Sequence, residues 1–230
     1  MKILAMDTSS FPASVAVSDG NVILGEYVIR NQRKHSQNIM VITERLLDDL
    51  GMDITEIDLF AVTVGPGSFT GLRIGISTVR AFAQAMQKKV AAVSTLEALA
   101  YNLSTVSGII VPMLDARRDE VFTAAYEFCG GKIKEITQPC VMTLSEIINV
   151  YSDKKVIFTG DGALIHRDEL EGNENFSFAP VNLIETRAAS LVCAAMNSAE
   201  KGELKHYNDV LPIYLRKSQA EREYERRNEK

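Results

Sequence analysis

The chain has few cysteines, no long apolar run and no concentration of basic charge, and each shortage removes a class of function. Cys129, Cys140 and Cys193 are odd in number and show no CxxC spacing. A disulfide framework and a zinc knuckle are therefore not expected, and a reducing cytoplasm is the natural setting. No apolar stretch reaches membrane-spanning length, and the N-terminus enters a strand pattern without a leader's ordered charged, apolar and cleavage regions, so neither secretion nor membrane insertion is expected. The net charge is −5, with Lys and Arg scattered through the chain. Without a basic stripe, direct and unaided nucleic-acid binding is not expected. His35, His166 and His206 share no ligand spacing, and each reads as surface or satisfied core rather than catalytic. No Ser-His-Asp or Cys-His arrangement of a nucleophile and its base is visible by spacing.

What is present suffices for a real core: 230 residues, 46% of them hydrophobic, need neither disulfides nor a structural metal. Strands are predicted at 2–6, 13–18 and 22–29, the last two joined through Asp19-Gly20, a dipeptide that favours a tight hairpin. A helix follows over 36–50, with Ile39, Ile42, Leu46 and Leu50 on one face and Gly51 as its stop. Then come a strand at 59–64, a helix at 71–88, a strand at 90–93 and a short helix at 94–102. After Asn102 the order begins again: strands at 108–114, 120–127 and 132–141, a helix at 144–150, a strand at 156–160 and a helix at 188–201. This repeat of element order predicts two related lobes, 1–104 and a thinner 105–230, with a mixed sheet in each and a cleft between them. The final segment either stays with the second lobe or packs back on the first. Residues 171–180 read as a polar, irregular link, and 221–230 as a charge-dense tail.

The most informative stretch is Gly65-Pro66-Gly67-Ser68-Phe69-Thr70-Gly71-Leu72-Arg73-Ile74-Gly75. Glycines between an apolar strand and a helix bring backbone close to something, because they permit positive φ and carry no Cβ. Free amides at the helix start, which Ser68 or Thr70 would partly cap, suit an anion. The spacing fits neither the Walker lysine loop nor the dinucleotide fingerprint, so a tight turn with helix packing and no ligand stands beside the anion reading.

With Ile3-Leu4-Ala5-Met6-Asp7-Thr8-Ser9-Ser10, His35-Ser36-Gln37 and Asp115-Ala116-Arg117-Arg118, this motif resembles the bacterial TsaB (YeaZ) family over most of residues 1–125. The resemblance implies an actin-like, two-lobed α/β fold of the sugar-kinase and heat-shock ATPase kind, and a part in making threonylcarbamoyladenosine at position 37 of tRNAs. In that pathway another enzyme makes the threonylcarbamoyl-adenylate. A related catalytic subunit, TsaD, transfers the group to adenosine, with TsaB as obligatory partner and TsaE as an ATPase. tRNA is then met through the complex.

The catalytic relatives carry an Asn-His-x-x-x-His pattern whose two imidazoles, four apart on one helix face, hold a metal. Here those positions fall at Thr95 and Leu99. Leucine cannot ligate, and only Glu97 offers a carboxylate, so no catalytic residue and no metal ligand is assigned. Asp7, which ends the first strand, either approaches a metal and nucleotide phosphates as in actin-like ATPases or holds its own turn with Thr8 and Ser9. Thr8, Gly65 and Gly67 share that rim, and Gly160 and Gly162 either form its counterpart in the second lobe or a plain strand-to-helix connection. No Lys or Arg in these loops neutralises phosphate. No cofactor is therefore expected to bind tightly, and ATP or ADP belongs at the interface with the catalytic subunit.

The helix after the glycines is apolar on several faces, with Leu72, Ile76 and Val79 on one side and Ile74, Ala81 and Ala85 on others. Gly71 and Gly75 would admit another helix. Ile39, Leu46, Gly71, Leu72, Arg73, Gly75, Ile76, Val79 and Arg80 thus form a candidate partner surface, serving a homodimer in isolation and the catalytic subunit when present, unless both faces are buried within the lobe itself. Arg73 and Arg80 either orient an acidic partner or are ordinary solvated charges. Three functions remain: a noncatalytic partner subunit, which is the reading adopted; a stand-alone actin-like ATPase or small-molecule kinase; and a metallopeptidase, the least supported.

Overall fold

A computed structural model describes residues 1–30 and 35–216; the charge-dense tail 221–230 lies outside the described residues. The first lobe is a five-stranded mixed sheet built from β1 (Lys2–Asp7), β2 (Ala13–Asp19), β3 (Val22–Ile29), β4 (Leu59–Gly65) and β5 (Lys89–Ser94), in the order β3-β2-β1-β4-β5. Its central strand is apolar at successive positions because both of its faces are covered. Leu4 and Met6 face one core, while Ile3 and Ala5 face another. Phe60, Val62 and Val64 of β4 share the first core, and Leu59 and Ala61 the second. The first core is closed by α1 (His35–Leu50) and α2 (Phe69–Ala85). Ser68 caps α2 by accepting from the Gly71 amide at 3.2 Å.

The second lobe repeats this plan. β6 (Ile109–Asp115), β7 (Glu120–Cys129) and β8 (Lys132–Thr143) form an antiparallel meander, and β9 (Val156–Thr159) pairs with β6 in parallel, as β4 pairs with β1. With β10 (Phe176–Phe178) the order is β8-β7-β6-β9-β10, which matches the first lobe strand for strand. The repeat of element order in the sequence is thus a repeat of topology. Between the lobes lies α3 (Thr95–Tyr101), and α4 (Leu144–Tyr151) covers the second sheet.

Three departures from the sequence pattern have physical causes. The polar stretch 171–180 contains β10, since Phe176 and Phe178 both pack on Phe158, with ring centroids 5.0 and 5.8 Å away. Two alternate aromatics are enough for an edge strand but too few to read as periodicity. Two short helices, α5 (Asp161–Ile165) and α6 (Arg167–Leu170), occupy a stretch with no assigned element. Finally, α7 (Ala188–Glu200) leaves the second lobe and packs on the first: Ala188, Leu191, Ala194 and Ala195 fill the core beside Ile3, Ala5 and Ala61. Beyond it, Lys205 exchanges backbone hydrogen bonds of 2.8 and 3.0 Å with Val90 at the edge of β5. Among the described residues no helix is long and apolar enough to cross a membrane.

Candidate functional site

The glycine junction is packed against the chain's own backbone. Gly67, at φ +155°, and Gly71 sit where a Cβ would run into the carbonyls of Ser9 and Thr8, and the Ser68 amide donates to the Ser9 carbonyl at 2.7 Å. Thr8 Oγ1 in turn donates to the Gly71 carbonyl at 2.7 Å. Gly75 is closed by the Thr8 side chain, and a Cβ on Gly65 would lie 2.5 Å from the Ile213 carbonyl. The helical groove expected to admit a partner's helix is therefore already filled, by the turn that follows β1.

Asp7 and Thr8 are buried, which corrects the expectation that they line a ligand site. Asp7 Oδ1 accepts from the Ser9 amide at 3.0 Å, from Ser9 Oγ at 2.6 Å and from Thr63 Oγ1 at 2.5 Å. The carboxylate braces its own turn and ties it to β4, the second of the two roles open to it from sequence. Gly160, at φ +99°, and Gly162 meet the end of β6, against Met113 and Leu114, as Gly67 and Gly71 meet the end of β1. Of the glycines proposed for the two rims, Gly67 lines open space, whereas Gly65, Gly160 and Gly162 are buried.

That space is a cleft of about 590 Å³ between the lobes. Ser9, Ser10, Ser68 and Thr70 line it from the first lobe, and Asp115, Arg117 and Asp161 from the second. Asp161 Oδ1 accepts from the Asp115 amide at 3.1 Å. Burial raises the Asp161 carboxyl above the usual range; the amides of Asp115 and Gly162 oppose this, and the carboxylates of Asp115 and Glu185 add to it. With Tyr214 and Arg216 on the same cleft, its polar lining comes to two carboxylates, five hydroxyls and two guanidiniums, with no excess of positive charge for a polyphosphate.

The turn between β6 and β7 is strained: Arg117, Arg118 and Asp119 all have left-handed backbones, at φ +63°, +62° and +58°, each costing about 1–2 kcal/mol. The Arg117 amide donates to Asp115 Oδ1 at 2.6 Å and the Ala116 amide to the Glu120 carbonyl at 3.0 Å, which holds the turn. Sequence reasoning quoted these residues for their resemblance but assigned them no part in the cleft. With no glycine or asparagine in the turn, Asp119 is the one residue of a type that favours the left-handed region, too little to signal a run of three.

The candidate partner surface is corrected by burial. Ile39, Leu46, Leu72, Ile76 and Val79 are all buried in the first lobe's own core, with α1 and α2 packed on β1 and β4. Their apolar stripe is spent inside the chain, and Gly71 and Gly75 face Thr8. Arg80 is half-buried, and Arg73, although exposed, stacks over Phe69 at 4.8 Å and donates through Nε to Tyr214 Oη at 3.1 Å. Solvent instead meets Met40 and Val41 of α1, and Ser77, Ala81 and Ala85 of α2. At the two positions that the resemblance sets against a histidine pair, Thr95 and Leu99 are buried. Glu97 between them is half-buried, and its carboxyl is pushed up to about 7, chiefly by desolvation. Among the described residues no group of three or more His, Cys, Asp or Glu is arranged to hold a metal ion.

Against known proteins, residues 23–224 match the family described as TsaD: tRNA N6-adenosine threonylcarbamoyltransferase. A Bacillus subtilis (strain 168) protein named tRNA threonylcarbamoyladenosine biosynthesis protein TsaB is 29% identical over 228 residues, 96% of each chain. The structure of YeaZ from Pseudomonas aeruginosa superposes with a TM-score of 0.82 at 27% identity, over 93% of this chain and 99% of that one. The ethanolamine utilization protein EutJ from Carboxydothermus hydrogenoformans shares the fold alone, with a TM-score of 0.53 at 14% identity over 84% of this chain and 89% of its own. The duplicated sheets and interlobe cleft are those of the actin-like, two-lobed α/β fold.

Proposed function

This chain belongs to the TsaB (YeaZ) family, within the wider TsaD family, and we propose from that membership that it acts in tRNA threonylcarbamoyladenosine biosynthesis as a noncatalytic partner subunit. It binds the related TsaD-type catalytic subunit and activates threonylcarbamoyl transfer to adenosine 37 of tRNA, in the cytoplasm, together with a TsaE-type ATPase. tRNA is reached through the assembly, and in isolation the chain pairs with a second copy of itself.

The observation that carries this reading is that the glycines of both rims are spent on close approach to the chain's own backbone, to the Ser9 and Thr8 carbonyls in one and to Met113 in the other. Amides at both rims are engaged as well, Ser68 with the Ser9 carbonyl and Gly160 with the Ile184 carbonyl, so neither is free to hold a phosphate. Tight nucleotide binding by the chain alone does not follow from this geometry; ATP or ADP is held jointly with the catalytic subunit. The buried Thr95 and Leu99 favour the partner role over metallopeptidase chemistry for the same positional reason. The partner surface is the exposed side of α1 and α2, around Met40, Val41 and Ala81, which solvent reaches in the single chain.

Reconstituted tRNA modification tests this directly. The adenylate-forming enzyme, the catalytic subunit and the ATPase are combined with and without this chain, and the mixture is passed over a sizing column. Loss of modification on omission, with co-elution of the chain and the catalytic subunit, supports the role. Undiminished modification without a complex overturns it, and nucleotide turnover by the pure chain would then identify a stand-alone ATPase.

A further inference from the structure

After α7 the described residues do not stay on the first lobe. Val210 is buried in that lobe's main core. The Ile213 amide then donates to the Val64 carbonyl at 2.7 Å, at the end of β4. Tyr214 lies flat on Phe69 at the start of α2, with centroids 4.0 Å apart and planes 5° apart, and Arg73 braces the pair. Two residues later the path has crossed to the second lobe. Arg216 donates to the Ala116 carbonyl at 2.7 Å and pairs with Glu120, the two residues that bracket the strained turn between β6 and β7. Ile213, Tyr214, Leu215 and Arg216 form one wall of the interlobe cleft.

We propose that residues 210–216 are a releasable strap that ties the two lobes together across the mouth of the cleft and governs access to it. Its root is fixed, since Val210 is core. The outer contacts just described are of the exchangeable kind: hydrogen bonds to the Val64 and Ala116 carbonyls, a ring stack with its Arg73–Tyr214 hydrogen bond, and a partly exposed ion pair. Ile213 and Tyr214 remain exposed, so release sacrifices little buried apolar area and leaves both cores intact. Release also frees the turn at Arg117–Asp119, whose left-handed run is held by the Ala116–Glu120 bracket that Arg216 clasps. The strap is independent of the proposed function, because it is a property of the single chain.

Hydrogen exchange of the full chain, read by mass spectrometry, tests it with Tyr214→Ala, Arg216→Ala and Glu120→Ala. Each variant is expected to speed exchange about threefold or more at both rims, 67–70 in the first lobe and 116–120 in the second, because detaching either end loosens the strap as a unit. Exchange in β1 and β6 should stay at the wild-type level, which checks that each variant is folded. Glu120→Ala cuts the same ion pair from the other side, so the result does not depend on one variant. Faster exchange confined to the lobe that lost the contact, or no change at either rim, would overturn the strap.

Discussion

Thr8 and Gly71 grip each other twice: the Thr8 hydroxyl donates to the Gly71 carbonyl at 2.7 Å, and the Gly71 Cα lies so near the Thr8 carbonyl that no side chain fits between them. This contact holds the start of α2 against the end of β1, and with it the first-lobe rim of the cleft. Gly71→Ala places a methyl group into backbone rather than against a yielding side chain. The expected cost is about 2–4 kcal/mol, read as a lowered urea midpoint with an unchanged slope. A wild-type midpoint would show that the two segments are free to part.

Asp7 supplies the brace beside that contact. Asp7→Ala leaves the Ser9 amide, the Ser9 hydroxyl and the Thr63 hydroxyl without their common acceptor. A loss of about 2–4 kcal/mol is expected for a hydrogen-bonded buried carboxylate. Ser9→Ala removes one side-chain donor and should cost about 1 kcal/mol. Equal effects of the two variants in thermal melts would contradict the hub role of the carboxylate.

Helices α1 and α2 separate core from surface within one turn. Ile76→Glu and Val79→Glu each bury an unpaired charge in the first-lobe core, so both should abolish cooperative unfolding rather than yield a folded monomer. Met40→Glu and Ala81→Glu fall on exposed positions and should change stability by about 0.5 kcal/mol or less. On the proposed function, the second pair weakens co-elution with the catalytic subunit. Retention of the complex in both exposed variants would place the partner elsewhere.

Glu97 makes stability depend on pH. Its carboxyl rises from 4.5 to about 7 on folding, chiefly through desolvation, with Lys201 opposing and Glu203 and Glu135 adding. The folded state therefore holds the proton more tightly than the unfolded chain. Its contribution is most favourable below about pH 4.5, falls as pH climbs to about 7 and is flat above. Glu97→Gln keeps the shape without the charge and should be more stable than wild type at pH 8 by about 1–3 kcal/mol, with the gap closing towards pH 4.5. A gap that stays constant between those pH values would mean that Glu97 is not desolvated.

Much of the lobe plan was legible because strand alternation and helical periodicity are local. The hairpin at Asp19-Gly20 and the stop at Gly51 lie where their residues place them, and the second meander, expected over 108–141, runs from Ile109 to Thr143. The glycine run was also visible as a place of close approach. What it approaches was not, since the missing Cβ permits contact with a phosphate, a partner's helix or the chain's own carbonyls alike. In the same way, the apolar stripe Leu72, Ile76 and Val79 reads identically whether it meets a partner or its own sheet.

By itself, then, the amino-acid order determined most of the strands and helices, though not β10, α5 or α6, that the order is used twice, and which residues avoid water. Those properties depend on neighbours within a few positions, which the chain carries wherever it goes. Only the tertiary structure decided that Thr8 fills the groove of α2, that α7 returns to the first lobe and that Arg216 reaches Glu120 across the cleft. The first joins groups 63 residues apart, and the other two join groups farther apart still or in different lobes. Such pairings are set by the shape of two packed sheets, and that shape exists only once both lobes have folded.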